Sequence, residues 1–402
     1  MTASAQIPGI NSAPPDPERY REQMSTVCAA LEAAMLSRDF TEFYRLFRSN
    51  DLPFMPAAYQ QDATGLFHLC FEFLHRLGSV SPATALAIEN HLYVTSAIAT
   101  FPITDAALNR RRNALVDLIV QRRMLVANTN SKVHTDKLGD IGTRARRDLL
   151  GFRIRGKASY TSLSTQGDLL VFLTEIEGEG RALFALPMQK NPDIEIGAYL
   201  FPSAMLDSDT RQITFHDLVA PEESLLAGGR DQDIALLVSF EMVWHQLLIP
   251  SLYLGAAARA IEEARQFLCA TRSRDDRPLA ELDGMMIDIG RLVIEYRGAC
   301  SAVWRAGEAL GQVKCLPRDA ALLEKAADLA SAAKYIGART AEAVVTAARR
   351  ILGARCFSGG HPLERLSQEI MFASLGPEVS AVIERRAGRQ ALQQRSFLDS
   401  CW

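Results

Sequence analysis

Apolar residues recur three and four positions apart from Pro17 to about Val126, in runs such as ERYREQMSTVCAALEAAML and GLFHLCFEFLHRLG. That period predicts a helical first domain. After Val126 the pattern changes: GFRIRGKASYTSL, DLLVFLTEI, RALFALPM and RQITFHDLV are short alternating or continuously apolar runs, separated by Gly, Pro, Asp and charged turns. They predict strands. The stretch is too short for a large sheet domain and is followed by helix, so a compact barrel or sandwich between helical layers is the economical arrangement. From Asp233 long helices return, and LGAAARAIEEARQFL places Leu254, Ala257, Ile261, Ala264 and Leu268 on one stripe. The Ala-rich run from Ala320 to Gly353 carries small residues on several faces, as helices do when they approach closely in a bundle or subunit contact. The expected organisation is a mainly α chain with an inserted β module. It comprises a flexible lead-in over 1–18, a helical domain over 19–127, a β domain over 128–230 and a second helical domain over 231–402.

Charge narrows the partners. With 44 basic against 47 acidic residues, no excess positive charge is present to attract phosphate backbones or anionic lipid, so neither nucleic acid nor a membrane surface is expected. The most apolar stretch, Val243 to Ala260, is interrupted by His245 and Gln246 and preceded by Glu241. It reads as a buried core helix rather than a membrane span. Seven scattered cysteines contain no C-x-x-C pair, which fits a reducing, cytoplasmic compartment and argues against zinc. The amino terminus has neither a basic n-region nor an apolar h-region, so no export signal is expected. The seven histidines show no ligand spacing, and no G-x-G-x-x-G, P-loop, G-x-S-x-G or H-E-x-x-H pattern occurs. The commonest nucleotide, hydrolase and metal chemistries are thereby set aside.

The order helix, β module, helix, together with particular strings, resembles the acyl-CoA dehydrogenase superfamily of flavoproteins over nearly the whole chain. LHRLGSVSPATALAIENH is similar to the family's helix and substrate-side connection. GFRIRGKASYTSLSTQGDLLVF is similar to its Gly turn, aromatic, hydroxyl residue and Gly-Asp before a strand, here Gly156, Tyr160, Ser162, Gly167 and Asp168. ITFHDLVAPEESLL resembles the strand with an Asp-x-Val-x-Pro exit, kept as Asp217, Val219 and Pro221. LGAAARAIEEARQFLCATR resembles the Gly-containing helix that ends near an Arg, and CFSGGHPLERLSQEI the closing segment, with His361, Pro362, Glu364 and Arg365. The resemblance implies a helical domain, a β-barrel domain and a four-helix-bundle domain, with FAD, or alternatively FMN, as cofactor and assembly as a homodimer or homotetramer.

Carried over residue by residue, Ser162 falls where the family's Thr hydroxyl bonds the flavin near N5, and Tyr160 where an aromatic shields the ring. On composition alone the two are ordinary strand residues. The dinucleotide end departs further. The family's Arg-x-Phe becomes TRSRDD, leaving Arg272 or Arg274 without a following aromatic, and its Gln-x-x-Gly-Gly becomes Arg350-Ile351-Leu352-Gly353-Ala354. Arg350 suits a pyrophosphate by its forked guanidinium, and equally suits a solvated helix end. The Thr-Glu-x-x-Ala-Gly-Ser-Asp loop keeps only Gly139-Asp140.

The base departs most. Desaturating an acyl thioester needs a group that removes the α-proton while hydride leaves for the flavin, and the family commonly uses the Glu of Tyr-Glu-Gly-Thr. The aligned string here is Leu375-Gly376-Pro377-Glu378, so Pro377 takes the Glu position and Glu378 lies one residue away. Some members place the base ten residues before the Gly matched to Gly255, a position held here by His245. An imidazole with an ordinary pKa of about 6.5 takes a proton at neutral pH. The alternative for His245 is a hydrogen-bonded histidine on a buried helix. The resemblance therefore implies first an FAD-dependent dehydrogenase of an acyl thioester carried by CoA or a carrier protein, in specialised biosynthesis, with the electron acceptor open. Loss of the Glu and the altered adenine side equally suit a flavin-dependent monooxygenase fed by a flavin reductase. A non-catalytic relative keeping the fold is the third possibility.

Overall fold

The computed structural model describes residues 16–129, 141–228, 232–376 and 378–393. Among the described residues six α-helices come first: α1 (Pro17–Ser37), α2 (Thr41–Ser49), α3 (Met55–Ala58), α4 (Ala63–Val80), α5 (Pro82–Thr100) and α6 (Ala106–Arg122). Their starts are local chemistry. Asp62, Ser81 and Asp105 each accept a hydrogen bond from a backbone N–H of the first turn of α4, α5 and α6, which satisfies donors that a helix start leaves free. Pro82 stands at the first position of α5, where its missing N–H costs nothing. Apart from half-buried Leu86, every residue of α5 is buried, so this helix runs through the interior and each polar side chain on it must find a partner there.

Eight strands follow among the described residues: β1 (Val126–Thr129), β2 (Thr143–Asp148), β3 (Gly151–Thr161), β4 (Leu169–Ile176), β5 (Gly180–Pro187), β6 (Ile194–Tyr199), β7 (Arg211–Ala220) and β8 (Leu225–Gly228). They bond in the order β6-β7-β3-β2-β4-β5-β8, with β1 added parallel to β4. β3 and β5 are three places apart in that order, about 14 Å in a flat sheet. Yet the rings of Phe152 on β3 and Phe184 on β5 meet at 5.0 Å. Phe172 on β4 and Phe215 on β7, also three places apart, meet at 4.7 Å. The sheet therefore curls around one apolar core, as in a barrel. A register shift between Ala158 and Thr161 gives Tyr160 a φ of 61°. That bulge turns its ring outward while Ser159 and Thr161 stay buried.

Five α-helices come last among the described residues: α7 (Gln232–Ala270), α8 (Asp283–Gly307), α9 (Ala320–Leu352), α10 (Pro362–Glu369) and α11 (Ser380–Gln393). On α7 the expected stripe holds, with Leu254, Ala257, Ala264 and Leu268 buried and Ile261 half-buried. Among the described residues, one helix, Ile234–Ala270, is long and apolar enough to cross a membrane, and 72% of its most apolar window is buried inside the protein. Two glycines set its position. A Cβ on Gly255 would lie 2.0 Å from the His75 carbonyl oxygen, and one on Gly78 would lie 2.0 Å from the Leu252 carbonyl oxygen. α4 and α7 thus cross backbone to backbone, and His245 lies ten residues, about 15 Å, up the same helix.

The barrel is tied to the first helices by charge. Asp168 accepts from Leu125 N at 2.8 Å and pairs with Arg48. Arg38, at the end of α1, grips both oxygens of Asp207 at 2.6 and 3.0 Å. Aromatic contact ties the barrel to the closing helices instead, for Phe201 meets Tyr160 on one side at 5.8 Å and Phe372 on the other at 4.9 Å.

Candidate active site

Two helices and one strand bring together a buried polar cluster. Glu89 and Tyr93 lie one turn apart on α5, and Glu241 and His245 one turn apart on α7, so each pair shares a helix face. Asn128 on β1 sits between them. His245 Nδ1 is 2.9 Å from Glu89 Oε1, and its ring centre is 4.8 Å from that of Tyr93. The Tyr93 hydroxyl donates to Asn128 Oδ1 at 2.6 Å, and the Asn128 amide donates to Glu241 Oε1 at 2.9 Å. Backbone N–H of Asn128 donates to Asn90 Oδ1 at 2.8 Å. All of these side chains are buried.

Protonation follows from the contacts. With Glu89 ionised its carboxylate only accepts, so His245 would carry hydrogen on Nδ1 and a neutral ring would present Nε2 as an acceptor. His245 Nε2 and Glu89 Oε2 are both buried and have no hydrogen-bond partner among the described residues. Burial raises the Glu89 carboxyl above its ordinary pKa, and the His245 contact acts against that shift. Burial, reinforced by the charges of Glu241 and Glu89, pushes the Tyr93 hydroxyl well above its ordinary value, so it remains a donor. Neighbouring His91 is structural: Nδ1 accepts from Val126 N and Nε2 donates to the Pro53 carbonyl, each at 2.9 Å. Burial pushes its pKa down to about 4.

Glu378 belongs to a different cluster, although Gln246, which reaches it, adjoins His245. Arg386 donates to both of its oxygens at 2.8 and 2.6 Å, and Gln246 Nε2 lies 3.3 Å from Oε2. Ser331 links Arg386 to Gln246. Buried Lys334, its pKa lowered to about 8 by burial, donates to the Glu378 and Gly376 carbonyls at 2.9 and 3.3 Å. Consecutive residues on a helix point about 100° apart. His245 and Gln246 thus direct the two candidate bases into separate networks. Pro377 and Gly139-Asp140 lie outside the described residues.

On the barrel, Ser162 is buried and its hydroxyl lies 2.9 Å from Thr210 Oγ1, which in turn lies 2.7 Å from Ser208 Oγ. Thr161 Oγ1 beside it is buried and unpartnered among the described residues. At the far end of α7, Arg272 is engaged by Asp276, with Nε donating to Oδ1 at 2.6 Å. Arg350, in the last turn of α9, is exposed and makes no hydrogen bond or ion pair among the described residues. Gly353 ends that helix at φ 63°, with open space where a Cβ would be. Arg355 lies 5.2 Å over the Phe267 ring, so the ends of α7 and α9 are neighbours. Sequence reasoning missed Glu89, Tyr93, Asn128 and Glu241. A signal existed for the three on helices, in two polar pairs spaced four apart inside apolar helices; Asn128, on a strand, had none.

Glu369, on α10, is buried and accepts a hydrogen bond from Ala83 N, at the start of α5, at 3.1 Å. Burial raises its pKa from 4.5 to about 7, against the pull of Arg365. The folded value lies above the ordinary one, so between those pH values the native state binds the proton more tightly than the unfolded chain. Stability therefore falls as pH rises from about 4.5 through about 7, by roughly 3 kcal/mol. Glu369→Gln is expected to lose less melting temperature than the wild type between pH 5 and pH 8 in scanning calorimetry. Parallel losses would rule out Glu369 as the source.

Residues 241–377, which include Glu241 and His245, match the family described as acyl-CoA dehydrogenase, C-terminal domain. By structure the chain is similar to FMN-bound TdsC, a dibenzothiophene monooxygenase of Paenibacillus sp. A11-2. That likeness has a TM-score of 0.79 and 16% identity, and covers 94% of this chain and 98% of that one. It is also similar to glutaryl-coenzyme A dehydrogenase in complex with glutaryl-CoA, with a TM-score of 0.75 and 14% identity, covering 93% and 94% of the two chains. Residues 241–377 thus match the C-terminal domain of that family, and the chain as a whole has the acyl-CoA dehydrogenase fold. In sequence it resembles isobutylamine N-hydroxylase of Streptomyces viridifaciens, 24% identical over 302 residues that cover 73% of this chain and 74% of that protein. The acyl-CoA dehydrogenase fold accounts for the helix, barrel, helix order and for the long helix that carries His245.

Proposed function

We propose that this protein is a flavin-dependent monooxygenase that takes up reduced flavin, as FAD or FMN, and hydroxylates a small molecule. The observation that carries the reading is the state of Glu378. The carboxylate nearest the position of the family's usual base already accepts two hydrogen bonds from Arg386, and would have to leave that ion pair to remove an α-proton. Monooxygenation needs no such carboxylate. The similarity to an N-hydroxylase and to the FMN-bound TdsC supports the same reading.

The residues present fit a flavin. Tyr160, turned out by its bulge and stacked on Phe201, offers an aromatic face, and the unpartnered Thr161 hydroxyl and the Ser162 hydroxyl offer hydrogen bonds beside it. Arg350 is available for a phosphate, while Arg272 would first have to release Asp276. The flavin would supply two electrons to oxygen, one atom of which enters the substrate while the other leaves as water. The chain's own part is to exclude water with the buried walls of α5 and α7, and to hold a proton at His245 Nε2, oriented by Glu89.

A second reading, dehydrogenation of an acyl thioester carried by CoA or a carrier protein, is favoured by that same unpartnered Nε2, which would serve as the α-proton base. The purified protein is expected to bind FMN or FAD, seen as a visible absorbance band and a raised melting temperature. With a flavin reductase and oxygen it should hydroxylate substrate, and anaerobic acyl thioesters should leave the oxidised band intact. Bleaching by a thioester would establish the second reading instead. A protein that binds no flavin would be the non-catalytic relative.

Homo-oligomerisation belongs to the same proposal. α8 exposes Ile287 and Ile294, and nothing lies within 4 Å of a Cβ on Gly290 or Gly298 beside them, which leaves room for a helix of a second copy. Ile294→Lys is expected to lower the mass measured by light scattering to that of one chain, and an unchanged mass would exclude this face.

A further inference from the structure

The geometry points to an organic amine, bound as its ammonium ion, as the substrate class of this site. The inference rests on the monooxygenase reading and narrows it. His245 Nδ1 lies 2.9 Å from Glu89 Oε1, and with Glu89 ionised and the ring neutral the two buried unpartnered atoms, Glu89 Oε2 and His245 Nε2, are both hydrogen-bond acceptors. One turn along α7, Glu241 adds a second buried carboxylate, which accepts from Asn128. Glu89 is partnered by an imidazole rather than by a fixed Lys or Arg charge.

A ligand that completes such a site brings donors and positive charge. An alkylammonium carries three N–H donors on one cationic nitrogen. An alcohol offers one donor, and a thioether or thioester carbonyl offers none, so each would leave a buried acceptor unpaired. Sites built on hydrogen bonds discriminate strongly against ligands that lack them. The pair also suits what N-oxygenation requires. Neutral His245 takes one proton from R–NH3⁺ at Nε2, freeing the nitrogen lone pair, and Glu89 stabilises the imidazolium formed. The balance is then R–NH2, O2 and the two-electron, two-proton reduced flavin going to R–NHOH, water and oxidised flavin.

The test is calorimetric titration of the FMN-reconstituted, oxidised protein at pH 8 with n-butylamine, n-butanol and methyl propyl sulfide. Butylamine is expected to bind at least tenfold tighter than either neutral probe. Glu89→Gln and Glu241→Gln should each weaken the amine while leaving butanol unchanged and flavin bound. Equal binding of amine and alcohol by the wild type, or a sulfide preferred to both, overturns the inference without any variant. If Glu89→Gln fails to fold, Glu241→Gln and the wild-type comparison still decide. Flavin binding is scored separately: a protein that takes no flavin loses the monooxygenase reading, and the same titration of the flavin-free protein still decides the amine.

Discussion

Gly255→Val is expected to yield insoluble protein or one without a cooperative thermal transition, and Gly255→Ala to fold with a loss of more than about 4 kcal/mol, a size reserved for a few mechanisms. Ordinary overpacking costs about 1–3 kcal/mol because side chains rotate away. Here a Cβ would lie 2.0 Å from the His75 carbonyl oxygen and 2.9 Å from Ser79 N, and backbone within a helix has no rotamer to change. α4 and α7 would have to part, carrying His245 away from Glu89. Gly388→Ala is the matched control: it lies on α11 with nothing within 4 Å of the new Cβ, and should stabilise by up to about 1 kcal/mol through helix propensity. Urea unfolding of Gly255→Ala and Gly388→Ala measures both effects. A Gly255→Ala protein as stable as the wild type would mean that the helices do not cross as closely as described.

His245→Ala is expected to keep flavin and fold while lowering turnover by about 10²–10⁴-fold, the range for removal of a positioned acid or base. Glu89→Gln should fall less and change the pH profile, because the amide keeps a hydrogen bond to the ring but cannot stabilise the imidazolium. The measurement is product formation per flavin with saturating reductase and oxygen, read by mass spectrometry across pH. Near-normal turnover in His245→Ala would reduce the dyad to a structural pair. Loss of turnover in Glu378→Gln alongside an active His245→Ala would move the proton transfer to the carboxylate held by Arg386.

Much of the fold was legible in the chain because it depends on local pattern. The 3.6 period of α4 and the buried stripe of α7 appear where apolar spacing predicts them, and the runs after Val126 are strands. The caps at Asp62, Ser81 and Asp105 act within one turn. The strings around Tyr160, Ser162 and Gly255 carried the family, and the outcome is the acyl-CoA dehydrogenase fold. The candidate site was legible only in part. His245 was singled out by its register with Gly255, but its partner is 156 positions earlier in the chain, and no spacing rule links α5 to α7. Glu378 looked like a base one residue out of place until Arg386, on the following helix, was found holding it.

What the sequence by itself determined is what short-range forces determine: element types, their order, the polar interruptions of two apolar helices, and a glycine that admits a close crossing. What only the tertiary structure decided is which of those interruptions meet. Glu89, Tyr93, Asn128, Glu241 and His245 come together because two buried helices and a strand leave their polar groups no water to bind. They therefore bind one another, and the pairing depends on distances across the interior that no local pattern encodes.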